Sequence, residues 1–124
     1  MTQSPGMYLY MTEEDLYRLG NSTSPRLDHV REEIDVQTYE HNGIRFVRAA
    51  GEGISLLTES RIATLKRGGW LWKIPVNLLL PAGLLLNPDR PGHYALCPAF
   101  DMTIDEYRAL LSRLALHCER IKKL

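Results

Sequence analysis

Thr103-Ile104-Asp105-Glu106-Tyr107-Arg108-Ala109-Leu110-Leu111-Ser112-Arg113-Leu114-Ala115-Leu116-His117-Cys118-Glu119-Arg120-Ile121 carries the clearest periodic signal in the chain. Tyr107, Leu110, Leu111, Leu114, Cys118 and Ile121 recur at helical spacing on one face. Thr103 and Glu106, three residues apart, form a capping-box pattern at its start. Acidic Asp105 and Glu106 open the segment and basic Arg120, Lys122 and Lys123 close it, as a helix dipole favours. The spacing predicts one long C-terminal helix. Upstream the pattern changes to short apolar runs punctuated by Gly, Pro and Asn. Strands followed by a terminal helix make an α+β domain.

Working back from that helix, His93 to Cys97 reads as a strand ended by Pro98, and Asn87-Pro88-Asp89-Arg90-Pro91-Gly92 as the strongest loop. Trp70 to Ile74 alternates Trp70, Trp72 and Ile74 on one strand face. Thr58 reads as the cap of a short helix carrying Ile62 and Leu65, closed by Gly68-Gly69. Gly51 and Gly53 bracket a bend before the strand Ile54-Ser55-Leu56-Leu57. His41-Asn42-Gly43 is a turn leading into the strand Ile44 to Arg48. Ser24-Pro25 starts a second short helix that would turn Leu27 and Val30 inward. Met7 to Met11 and Asp15 to Leu19 supply one or two more strands. The expectation is a single α+β domain over 1–124, residues 1–6 flexible. It has short mixed or antiparallel strands, two short helices and a long C-terminal one.

Composition narrows the class. At 124 residues the chain suits one hydrophobic core, and 44% apolar with 24% charged residues argues against disorder. Formal charge is zero, so nucleic-acid binding through a basic surface is not expected. Cys97 and Cys118 fit no metal or redox spacing and read as buried thiols of a reducing compartment. The histidines show no metal-ligand spacing either. Leu78 to Leu86 is about half a membrane span and is broken by Pro81 and Gly83. The start of the chain lacks the basic and apolar regions of a signal peptide, so action in the cytoplasm, away from membranes, is the expectation.

Several residues on these strands carry chemistry. Arg18, between Tyr17 and Leu19, suits a phosphate or carboxylate, or else a salt bridge to Glu14 or Glu32. Ser55 stands just after Gly53, where small residues admit a ligand, though it also reads as a turn serine with no hydrolase elbow around it. Trp70 and Trp72 read as core, or as a wall for a flat ring. His93, beside Tyr94 at a loop–strand junction, suits a ribose hydroxyl or acid–base work, or an edge histidine's hydrogen bond. Asp89 and Asp101 are the nearest carboxylates, read as shaping a turn and the approach to the last helix.

In order, Leu16-Tyr17-Arg18, Gly53-Ile54-Ser55, Trp70 with Trp72 and Ile74-Pro75, Pro81 with Gly83-Leu84, His93-Tyr94, Pro98 and Met102 resemble a family of bacterial toxins. These have an ADP-ribosyltransferase-like fold and include effectors exported by type VI secretion systems, with relatives in toxin–antitoxin pairs. The resemblance runs from about residue 15 to about residue 115. It implies NAD as substrate and no metal, with Arg18, Ser55 and His93 as the catalytic positions. It places Tyr17, Trp70, Trp72 and Tyr94 with Arg18 and Ser55 in the NAD pocket, and it implies a cognate immunity or antitoxin protein and an intracellular target. The family's usual glutamate is missing, with His93 where the third site strand begins. A protonated imidazole would not stabilise an oxocarbenium-like centre, so either His93 is neutral, or Asp89 or Asp101 supplies the anion, or the chain binds NAD without efficient transfer. A toxin that binds without turnover, a 2′-phosphotransferase acting on RNA ends and an interaction module using the terminal helix are the alternatives.

Overall fold

A computed structural model describes residues 8–124; the expectation for residues 1–6, and the Met7 end of the first strand reading, lie outside them. The strands are β1 (Leu16–Gly20), β2 (Thr38–His41), β3 (Ile44–Val47), β4 (Ile54–Thr58), β5 (Trp70–Ile74), β6 (Leu84–Arg90), β7 (His93–Pro98), β8 (Met102–Thr103) and β9 (Glu119–Lys123). The helices are α1 (Glu59–Ile62) and α2 (Ile104–Ala115). A six-stranded sheet runs β6-β7-β4-β1-β5-β9 and a three-stranded one β2-β3-β8. All the strand pairs are antiparallel. The α+β class holds.

Alternation builds the larger sheet. In β4, Ile54 and Leu56 are fully buried while Ser55 and Leu57 are only partly so. The register sets Leu16 opposite Ile74 and Ile54 opposite Leu96, so these residues share the core face. They join Tyr107, Leu111 and Leu114 of α2 in one apolar cluster with Leu84, Leu86 and Met102. Tyr17, Leu57, His93, Ser55 and Ala95 turn to the opposite face. At the start of β4 a Cβ on Gly53 would stand 2.0 Å from the Leu96 carbonyl oxygen, so only glycine lets the backbones approach.

The capping box forms as expected: Glu106 N–H donates to Thr103 Oγ1 and Thr103 N–H to Glu106 Oε1, both at 3.1 Å. The long helix does not. It ends at Ala115, and Glu119–Lys123 becomes β9, paired with β5 from Lys73↔Glu119 to Trp70↔Lys123. Without β9 that edge of β5 would be a row of unpaired backbone groups. Pairing it satisfies those groups, and the lysines then discourage a further strand from adding.

Three smaller expectations change. No helix follows Ser24-Pro25, because Ser24 Oγ accepts the Arg26 N–H at 2.9 Å and Arg26 takes a positive φ of 57°. Leu27 and Val30 are buried all the same. The helix after Thr58 is a single turn that leaves Leu65 outside, and the Thr58 hydroxyl meets Ser60 Oγ at 3.1 Å without capping the backbone. Asn87–Arg90 belongs to β6, leaving only Pro91-Gly92 as the turn. Pro88 is tolerated there because β6 is an edge strand with a bulge. The Asn42-Gly43 turn is present, with φ of 52° and 76°, and joins β3 to a partner strand, β2, that had no separate signal.

Candidate functional site

The join between β1 and β4 is short. Only Leu16↔Thr58 and Tyr17↔Leu57 pair, whereas β1 continues beside β5 through Gly20↔Trp70. Beyond Tyr17 the two strands part and leave Ser55 without a strand partner on that side. Arg18 fills the gap: Nη1 donates to the Ser55 carbonyl at 3.2 Å and Nη2 to the Arg26 carbonyl at 3.3 Å. Neither Glu14 nor Glu32 pairs with it; Glu14 accepts from the Tyr94 hydroxyl and Glu32 from Arg45. Burial lowers the Arg18 pKa from its ordinary value, and the Asp35 charge opposes that shift.

Three cavities meet at this parting. One of about 210 Å³ is lined by Tyr17, Arg18, Ser55, Arg61, Arg67 and His93. A second, of about 350 Å³, lies beside Arg18, Arg26, His29, Arg31 and Arg67. The third, of about 330 Å³, touches Asp35, Glu52, Ser55, Asp89 and His93. A chain with zero formal charge thus gathers arginines from β1, α1 and the loops that carry Arg26 and Arg67 around one cleft. Arg18, Arg26, Arg61 and Arg67 form no salt bridge among the described residues. Their scattered positions carry no motif, so the sequence reading did not assign Arg26, Arg61 or Arg67 to the site.

His93 is buried at the start of β7, and its Nδ1 lies 2.6 Å from Asp89 Oδ1. Asp89 therefore contacts the histidine instead of only shaping a turn. Asp101 is elsewhere, accepting from Ala49 N–H and the Tyr39 hydroxyl at 2.8 Å each; the Ala49 N–H and then the Tyr39 bond hold it below the usual carboxylate range. Three buried side-chain polar atoms lack a hydrogen-bond partner among the described residues: Arg18 Nε, Asn87 Oδ1 and His93 Nε2, the first and last belonging to residues that line the 210 Å³ cavity. Buried polar groups are nearly always paired, so each such atom calls for an explanation.

The expected pocket is brought together in part. Arg18, Ser55, His93 and Tyr17 share the 210 Å³ cavity. Tyr17 also reaches Glu59 Oε1 with its hydroxyl at 3.3 Å; burial and then the Glu59 charge raise its pKa. Tyr94 is turned to the other face of β7, bonded to Glu14, in a cavity that excludes Arg18 and Ser55. Trp70 and Trp72 line none of the three cavities. Trp72 donates to the Asn21 carbonyl at 2.8 Å, and the Arg120 guanidinium covers Trp70 at 4.7 Å. They are half-buried at the β5–β9 side, where β9 and the 21–22 turn hold them away from the cleft. Among the described residues no cluster of three or more metal-ligating side chains occurs, and no helix is long and apolar enough to cross a membrane.

A family model described as Tse2 ADP-ribosyltransferase toxin matches residues 13–122. The chain belongs to this family. The match begins before β1 and ends within β9, so it takes in every strand and Arg18, Ser55 and His93. No curated protein and no solved structure matches the chain significantly. Membership in the Tse2 family supports a toxin with ADP-ribosyltransferase-like activity.

Proposed function

We propose that this chain is an NAD-dependent ADP-ribosyltransferase toxin that modifies an intracellular target in the cytoplasm and is neutralised by a cognate immunity protein. The observation that carries the NAD reading is that Arg18 and His93, which line one cavity, each hold a buried nitrogen without a partner, Nε and Nε2. NAD carries what each lacks. A phosphate oxygen accepts from a guanidinium N–H, and a ribose hydroxyl donates to an imidazole nitrogen. The surrounding arginines favour a ligand that carries phosphates. Family membership supports the reaction class, the toxin role and the immunity partner.

In the reaction the bond between the nicotinamide nitrogen and ribose C1′ breaks, and its electron pair neutralises the pyridinium ring. An acceptor then bonds to C1′ and gives up its proton. Arg18 holds a phosphate, Ser55 supports the nicotinamide side of the pocket and His93 fixes the ribose. Holding the ribose in one orientation while positive charge develops on it lowers the barrier by preorganisation.

The deciding assay is nicotinamide release from NAD in the presence of cytoplasmic extract, comparing wild type with His93→Ala. Release by wild type and a fall on the order of 100-fold in the variant, with unchanged circular dichroism, is the expected result. No release from folded wild type with excess NAD would sink the transferase reading and leave a toxin that acts by binding.

A further inference from the structure

Asp89 reaches His93 because of a register slip. β6 and β7 pair regularly from Leu84↔Pro98 to Asn87↔Ala95, then shift so that Arg90 lies opposite His93. Pro88 and Asp89 together therefore face only Tyr94. Pro88 has no N–H to donate, so its own position in the bulge leaves no ladder donor stranded. Asp89 lies within this bulge, where the strand alternation is broken, and its Oδ1 comes to 2.6 Å from His93 Nδ1.

The two side chains differ in exposure: 7% for His93 against 29% for Asp89, with Arg90 Nη1 3.8 Å from the other carboxylate oxygen. An ionised carboxylate can only accept, so the proton of the 2.6 Å bond sits on Nδ1. In the neutral ring Nε2 is then a lone-pair acceptor, and this is the atom without a partner in the cleft. A histidine serving only as a structural pin would use both nitrogens. Here one nitrogen is anchored and the other is buried without a partner.

We propose that Asp89 is the positioning residue of the site: it holds His93 in the Nδ1–H tautomer so that Nε2 accepts a hydrogen bond from a hydroxyl of the substrate ribose. This rests on the proposed NAD chemistry. The pair also answers the charge difficulty left by the missing glutamate. With the ring neutral the pair carries one negative charge, and with the ring protonated it carries none. In neither state does the developing ribose cation face an uncompensated imidazolium.

The test combines a tautomer readout with kinetics. Long-range proton–nitrogen correlation spectra of uniformly labelled protein, with the His93 signals assigned through His93→Gln, report which nitrogen is protonated. Wild type is expected to show Nδ1–H. Asp89→Ala is expected to shift His93 towards Nε2–H and to lower kcat for nicotinamide release by about tenfold or more, with KM for NAD changed by less than about threefold. Asp89→Glu should restore part of the rate. Asp89→Asn keeps the side-chain shape without the charge, and is expected to lower kcat at an unchanged melting temperature. An Nε2–H ring in wild type, or an Asp89→Ala variant with the wild-type tautomer and kcat, would overturn the proposal. If wild type releases no nicotinamide the NAD reading fails by itself, and the spectra still decide whether Asp89 sets the ring.

Discussion

Arg18 Nη1 donates to the carbonyl of Ser55 across the place where β1 and β4 separate. One side chain thus closes a gap in the sheet and lines the cleft that the gap creates. Its two terminal nitrogens are committed to backbone carbonyls, and Nε is left over.

Arg18→Lys tests that double role. A lysine ammonium cannot span both carbonyls with fork geometry. The substitution is expected to cost about 1–3 kcal/mol in urea unfolding, from the buried acceptor left unpaired. Nicotinamide release is expected to fall on the order of 100-fold. A variant with normal turnover would remove Arg18 from the site.

Tyr107 ties α2 to the site strands from beneath. Its hydroxyl donates to the Leu96 carbonyl at 2.5 Å and accepts from the Ile54 N–H at 3.4 Å, next to Ser55. Tyr107→Phe preserves the ring and strands both groups in the core. Unfolding free energy is expected to drop by about 1–3 kcal/mol, read from the denaturation midpoint at unchanged slope.

Burial pushes the Cys97 thiol up to about 11 and that of Cys118 to about 12. At pH 7.5 both lie far below their titration, so almost no thiolate is present to react. Neither cysteine should be alkylated by iodoacetamide over an hour in the native state, and both should be labelled in urea. Intact mass reads the outcome, and rapid native labelling would contradict the burial.

The strand at the C-terminus is tested by Arg120→Ala. This removes the cation over Trp70 and the bond from Arg120 Nη1 to the Ser22 carbonyl at 2.6 Å. A loss of about 0.5–1 kcal/mol is expected for the cation–ring contact, with a red shift in tryptophan emission. An unchanged spectrum and midpoint would mean that the contact contributes nothing in solution.

Local signals were legible where the chain decides locally. The capping box at Thr103 and Glu106, the Asn42-Gly43 turn and the Trp70–Ile74 strand each rest on neighbouring residues. Arg18, Ser55 and His93 were named in sequence because the order of motifs points to them, and the register of β1, β4 and β7 then brings them to one cavity. The arginines that join them had no pattern to announce them, since Arg61 comes from α1 and Arg26 and Arg67 from two separate loops. Trp70 and Trp72 looked like a ring wall only because a strand face shows its parity and not its neighbours.

By itself, then, the sequence determined the α+β class, the start of α2 and the residues whose types suit the cleft. Periodicity, turn chemistry and capping act over a few residues and need no partner. Tertiary structure alone decided that 119–123 leaves its helical pattern, because the free edge of β5 satisfies those backbone groups as a strand. It also decided that Asp89 meets His93, since a bulge in β6 depends on how that strand pairs with β7. Both outcomes turn on hydrogen bonds between distant segments, which no local pattern encodes.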